Sequence, residues 1–251
     1  MSGHSKWSTI KRKKSAVDAK RGKIFTKIAR ELQVAARAGG PDPETNIRLR
    51  LVLDKAKSAN MPKDNIERAI ARGAGTDKSQ DLEEITYEGY APHGVAVMVE
   101  VMTDNRNRSV AEIRHAFTKA GGNMASTGAV AWQFERKGQI MINTDGMDED
   151  DVFLLAVDAG AEDVDFNDDG TAAIVTAAAE LATVRDSLME AGVEVDEAEL
   201  IMTPQNEIEL SVQDAMKVMN LIENLEDLDD VQKVYSNLAF SEELLTQLDT
   251  A

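Results

Sequence analysis

Apolar residues recur at helical spacing through residues 22–73 and at strand-like spacing beyond residue 82. Ile24, Ile28, Leu32 and Ala35 stand four, four and three positions apart. That places them on one face of a helix, which Gly39-Gly40 ends. Asp42-Pro43-Glu44 predicts the next helix start, with a cap, a proline in the first turn and an acid at the positive end of the dipole. The second helix turns Ile47, Leu51 and Val52 inward and Arg48, Arg50, Lys55 and Lys57 largely outward. Met61-Pro62-Lys63-Asp64 restarts the chain, and Ile66, Ala69 and Ile70 line a third, short helix ending at Gly73.

Residues 74–82 are a polar linker, after which the periodicity changes. The pattern predicts a strand over 95–101, a helix over 108–120 and a strand over 129–134. From Gly138 the order restarts: strand 139–143, helix 148–159, strand 163–166, turn 167–170, strand 172–176, helix 178–191 and strand 193–202. After Pro204 come strand 207–210, helix 212–225 and strand 231–235. Three helices end in the same dipeptide, Ala120-Gly121, Ala159-Gly160 and Ala191-Gly192, each offering a left-handed glycine before a strand.

The fold class read from this order is α+β: an N-terminal helical domain and two ferredoxin-like, split βαβ units, one inserted in the other. The corresponding parts are 1–75, a discontinuous domain of 83–136 with 204–240, and an insert of 137–203. Sequential pairing of all strands into one large sheet is the alternative.

Charge divides the chain at the same linker. Residues 1–75 carry ten Lys and eight Arg against seven acids, a balance of +11, while the whole chain is at −17, leaving −28 beyond residue 75. Such a reversal points to two parts with different partners. Lys6, Lys11, Arg12, Lys13, Lys14, Lys20, Arg21 and Lys23 stand within eighteen positions against the single acid Asp18, with Trp7 among them and Lys27 one turn further on. Clustered cations bind phosphate backbones with counterion release, and an interleaved aromatic stacks on an exposed base. These residues are candidates for nucleic-acid contact. A solvated tail, a targeting peptide and an arm folded onto the acidic body are the competing readings.

At the start of the helix over 108–120, Asp104-Asn105-Arg106-Asn107-Arg108-Ser109 supplies capping side chains. It also sets Arg106 and Arg108 against the helix dipole, which favours an external anion or an acidic neighbour. Tyr87-Glu-Gly-Tyr90 and His93-Gly94 read as a turn leading into the strand over 95–101. Asp165, Asn167, Asp169 and Gly170 match the opening of a calcium loop, but its twelfth position is Thr176 where a bidentate glutamate belongs, so a β-turn is expected. Asp145, Asp148, Glu149, Asp150 and Asp151 read as a solvated helix start. Met98, Met102, Met216 and Met219 read as core filler.

The chain has no Cys and three His, His4, His93 and His115, none in a helical pair. Gly73-Ala-Gly75 follows a helix and makes no dinucleotide loop. No catalytic set, cofactor or metal site is expected, nor a small-molecule substrate. No apolar run approaches the roughly 18 residues of a membrane span.

Gly3-His-Ser-Lys-Trp7, Asp18-Ala-Lys-Arg-Gly-Lys-Ile-Phe-Thr-Lys-Ile28, Glu84-Ile-Thr-Tyr-Glu-Gly-Tyr90, Asp104-Asn-Arg-Asn-Arg108 and Gly121-Gly-Asn123 together resemble the YebC/PmpR family, in register from residue 3 to about residue 240. The resemblance implies a helical N-terminal domain and two α/β domains, one inserted in the other. It also implies a DNA-binding transcriptional regulator. The family includes a mitochondrial translational activator of cytochrome c oxidase and bacterial ribosome-associated factors that relieve stalling on proline-rich sequences. Promoter DNA and ribosomal or transfer RNA are thus both implied partners. With the family motif starting at residue 3, a bacterial cytoplasmic member is expected.

Overall fold

The computed structural model describes residues 18–75, 81–167 and 169–250. Helices α1 (Asp18–Gly39), α2 (Ile47–Ser58) and α3 (Lys63–Ala74) form the head. Ile28, Leu32, Ala35, Leu49, Val52, Ala56 and Ala69 are buried between them. Helix α2 starts four residues later than Asp42-Pro43-Glu44 predicts. Its cap is Asn46, whose Oδ1 accepts from the Leu49 amide at 3.0 Å while its Nδ2 donates to the carbonyls of Ala35 and Gly40, both at 2.8 Å. One buried amide thus fixes the angle between α1 and α2.

The third helix lies close against the first because Gly73 has no side chain. A Cβ there would stand 2.1 Å from the Gln33 carbonyl oxygen. Relief would require moving α1 itself, so Gly73→Ala is expected to cost about 1–3 kcal/mol. Thermal unfolding checks this against Gly22→Ala, where the added methyl meets nothing within 4 Å and stability should stay level or rise.

Beyond the linker come β1 (Glu83–Tyr90), β2 (Ala96–Thr103), α4 (Arg106–Lys119), β3 (Asn123–Met124) and β4 (Phe134–Asn143). Then follow α5 (Glu149–Ala159), β5 (Asp163–Phe166), β6 (Thr171–Ala177), α6 (Leu181–Glu190) and β7 (Val195–Pro204). The chain ends in α7 (Val212–Glu226), β8 (Val231–Ser236) and α8 (Glu242–Thr250). The strands make two four-stranded sheets, ordered β3-β1-β2-β8 and β5-β6-β4-β7, with every pair within them antiparallel. The chain leaves the first sheet after β3, builds all of the second, and returns for β8. The expected nesting is therefore the observed topology, and the single large sheet is not.

In the first sheet, Val97, Val99 and Val101 of β2 face Ile113 and Phe117 of α4 and the buried side of α7. Its other face buries Ala96 and Met98 with Val130, Phe134, Met202 and Tyr235, which joins the two sheets. Helices α5 and α6 cover the second sheet through Val152, Ala156, Leu181, Val184 and Leu188. All three Ala-Gly helix ends take the expected form, with Gly121, Gly160 and Gly192 at φ of 82, 100 and 88°. The β5–β6 connection is a turn, closed by the Asn167 amide on the Thr171 carbonyl at 2.9 Å. Met98, Met102 and Met219 are buried core.

Four local expectations change. Residues 87–90, read as part of a turn, are the end of a full strand, β1. Residues 131–133 form a turn of 3-10 helix instead of a strand. Strand β4 runs unbroken through Gly138, where a restart was expected. The segment 207–210 makes one bridge, Ile208 to Leu238, in place of a strand.

Candidate nucleic-acid interface

Of the residues singled out for nucleic-acid contact, Lys6, Trp7, Lys11, Arg12, Lys13 and Lys14 lie outside the described residues. Lys20 and Arg21 stand on the first turn of α1, with side chains outside the description. Of the remaining four, Lys23, Lys27 and Arg108 belong to two junctions between the head and the first sheet, and Arg106 stands outside both.

At the first junction α1 crosses the C-terminal end of α7. Lys23 Nζ reaches the Asp227 carboxylate at 3.1 Å and the Asp227 carbonyl at 3.2 Å, and Lys27 Nζ donates to the Glu226 carbonyl at 2.9 Å. The last carbonyls of a helix have no partners within it and carry its negative pole, so two ammonium groups there stabilise both helices.

The second junction centres on Asp230, a carboxylate 3 % exposed. Arg108 Nη2 donates to its two oxygens at 2.9 and 2.7 Å, and Arg30 Nη1 lies 2.8 Å from Oδ1. Ser109 and Thr103 hydroxyls donate to Oδ2 at 2.6 and 2.9 Å. Arg30 also donates to the Met102 and Asp229 carbonyls. Burial pushes the Asp230 carboxyl up, but the hydrogen bonds from Ser109, Arg108 and Thr103 and the charge of Arg30 outweigh it and hold the group below the usual carboxylate range. The Asp230 hydrogen bonds, with a second carboxylate at Asp104, raise the Arg108 guanidinium above its ordinary value. The misfit of arginine at the α4 start thus has an acidic neighbour as its answer. Asn105 provides the cap, accepting from the Arg108 amide at 3.1 Å. Arg106, by contrast, is exposed, with no ion pair among the described residues.

Beside these junctions runs a groove of about 640 Å³ between α1 and α3, opening at Gly22 and lined by Phe25, Arg30, Arg68 and Arg72 among others. Arg68 and Arg72 are exposed and one turn apart on α3. They were not singled out from the sequence, although the inward spacing of Ile66, Ala69 and Ile70 already placed them on the outer face. Phe25 is half-buried in the same groove, two turns into α1.

On another side, the head meets the second sheet around a cavity of about 550 Å³, with Lys55 and Lys233 in its wall. Lys55, expected to point largely outward, is surrounded by Glu199 at 3.2 Å, Glu31 at 3.4 Å and Glu197 at 3.5 Å.

A basic helical head, bonded to two nested and acidic α/β units, defines a three-part class of α+β proteins. Family models described as "TACO1/YebC protein N-terminal domain" and "TACO1/YebC second and third domain" match residues 5–76 and 82–238. The chain belongs to the TACO1/YebC family. It is 54 % identical over 250 residues to a "Probable transcriptional regulatory protein" of Bifidobacterium animalis subsp. lactis, covering 99 % of each chain. To "Transcriptional regulatory protein PmpR" of Pseudomonas aeruginosa it is 53 % identical over 248 residues, covering 99 % of this chain and all of the relative. A crystal structure of a conserved hypothetical protein from Aquifex aeolicus superposes with a TM-score of 0.87 at 46 % identity, over 92 % of this chain and 95 % of that one.

Proposed function

We propose that this chain is a regulator of gene expression that works by binding nucleic acid through its head, with DNA as the principal target and transcription as the process regulated. The supporting observation is the charge division, +11 before residue 75 and −28 after it. A polyanion is drawn to the head and repelled by the body, so the complex forms in one orientation. The names of the bacterial relatives supply the process. The contacting groups are Lys6, Trp7, Lys11, Arg12, Lys13, Lys14, Lys20 and Arg21, with Arg106, Arg68 and Arg72 extending the surface. Lys23, Lys27 and Arg108 hold the head in place beneath them. The action is binding in the cytoplasm, without a catalytic step or cofactor.

Binding should weaken steeply with salt. Changing Lys11, Arg12, Lys13 and Lys14 to Ala together is expected to flatten the slope of log affinity against log salt by about three to four, since each phosphate contact contributes about 0.9. Filter binding to duplex DNA between low and moderate salt reads this directly, and an unchanged slope removes the segment from the interface. A second reading, a translation factor on ribosomal or transfer RNA, is favoured by the lone tryptophan among the cations, which suits unstacked bases better than a duplex groove. Cross-linking in cells with sequencing of bound DNA and RNA separates the two, because promoter fragments without ribosomal RNA eliminate the second.

A further inference from the structure

Helix α5 is apolar on both of its sides. Val152 and Ala156 are buried against the second sheet, while Phe153, Leu154 and Val157 opposite them are 46, 59 and 48 % exposed. An apolar surface that extends well past the buried face of a helix is ordinarily covered. Met147 precedes it and, with Leu154 and Leu155, floors a hollow of about 500 Å³ rimmed by Asp148, Asp151 and Asp158. Single exposed apolar residues are normal on any surface, but four of the seven large ones exposed among the described residues gather here.

The surrounding charge narrows what this face can receive. Residues 145–160 hold six acids and neither Lys nor Arg. Some of these carboxylates serve the helix itself. Asp148 accepts from the Asp150 amide at 3.0 Å, and Glu149, Asp150 and Asp151 complement the positive end of the dipole. Asp158 stands instead in the last turn, at the negative end, where no basic residue offsets it. That placement opposes the helix dipole and leaves a carboxylate beside the apolar stripe. A phosphate polymer or an anionic bilayer is repelled by this rim. The same face of a second copy would set six acids against six, which charge forbids as well.

We propose that the outer side of α5 is a docking face for a cationic amphipathic helix of a partner protein. Its apolar side chains lie on Phe153, Leu154 and Val157, and its Lys or Arg residues reach Asp151 and Asp158. Helix-in-groove recognition uses such anchors at helical spacing, with the charged rim selecting the partner.

The test is fluorescence anisotropy with the full chain and a labelled 18-residue helical peptide carrying Leu on one face and Arg on the other, beside a scrambled peptide of equal composition. The intact protein should bind the ordered peptide at least tenfold more tightly. Phe153→Ser with Leu154→Ser should abolish that preference while the far-ultraviolet circular dichroism is unchanged, and Val157→Ser should reduce it. Asp151→Asn with Asp158→Asn should weaken binding and flatten its salt dependence. Equal affinity for the two peptides, or a preference that survives the paired serine change, overturns the proposal. So does a concentration-dependent dimer in sedimentation that the serine changes dissolve, since the occupant would then be the basic head of a second copy.

Discussion

Asp230→Ala is expected to lower stability by about 3–5 kcal/mol, the range for removing one partner of a buried ion pair. Two guanidinium groups and two hydroxyls converge on this carboxylate. Without it, Arg30 and Arg108, 20 and 42 % exposed, lose their shared counter-charge, and Ser109 and Thr103 lose a carboxylate acceptor. At about 2 °C per kcal/mol for a chain of this length, the melting temperature should fall by roughly 6–10 °C. Asp230→Asn keeps acceptors for the hydroxyls but removes the charge, so a smaller loss is expected. Hydrogen exchange should quicken in α1 as well as around β8, because Arg30 carries the effect into the head.

The pH dependence of that junction has a definite sign. The folded Asp230 carboxyl lies below its ordinary range, so the stability it contributes is present above the unfolded value of about 4 and is lost as pH falls through the depressed folded value. Urea titrations of the chain and of Asp230→Asn should therefore converge in acid and separate toward neutrality. A constant difference down to about pH 2 would mean that the charge is not what holds the junction.

Much of this architecture is legible in local pattern. The head follows from the spacing of Ile28, Leu32 and Ala35, and the nesting follows from the order of strands and helices. What the pattern hides are places where a long-range contact reverses a local rule. Strand β1 is masked by Glu88, a carboxylate that reads as solvent-facing but is buried, accepting from the amides of Gly128, Val130 and Ala131 at 2.6 to 2.9 Å. Gly89 beside it leaves room for the Phe117 ring, which an added Cβ would approach to 2.7 Å. Gly138 resembles a boundary for the same kind of reason, since it lies within β4 where a Cβ would meet the Thr176 hydroxyl at 2.3 Å.

The candidate site divides along the same line. That the head is basic is a matter of counting, but which cations remain available is a matter of who their neighbours are. Arg108 meets Asp230 across 122 positions and Lys27 meets Glu226 across 199. No window of a single sequence contains both partners. Arg68 and Arg72 were within reach of periodicity alone, because once α3 has an inner face its outer face is determined.

Lys55→Met should lower stability by about 3–5 kcal/mol at neutral pH, for a different reason. Burial alone would depress the Lys55 ammonium, but Glu199, Glu31 and Glu197 raise it well above its ordinary value. Glu199 is pushed up by burial and brought strongly down by Lys233 and Lys55, while burial and Glu199 raise its neighbour Glu197. Lys55 comes from α2, Glu31 from α1, Glu197 and Glu199 from β7, and Lys233 from β8, so one network of ion pairs ties all three parts of the chain. Methionine preserves the apolar stem and removes only the charge. Glu199 keeps Lys233 at 2.8 Å, while Glu197, already raised by burial and by Glu199, loses the Lys55 charge that lowers it and rises further above the unfolded value of about 4.3. Groups raised in this way favour the fold below that pH and oppose it as pH increases, so the variant should be weakest near neutrality and recover on acidification. In the intact chain the depressed Glu199 works in the opposite sense, contributing above about pH 4.3 and losing its effect as pH falls. Adding Glu199→Gln to Lys55→Met should restore part of the loss, because it removes one of the repelling charges. A Lys55→Met chain within about 0.5 kcal/mol of the original at neutral pH would show the network to be solvated, and the joint between head and insert to rest on Leu51 with its apolar neighbours and on the Ser58–Asp196 and Asp54–Arg185 contacts.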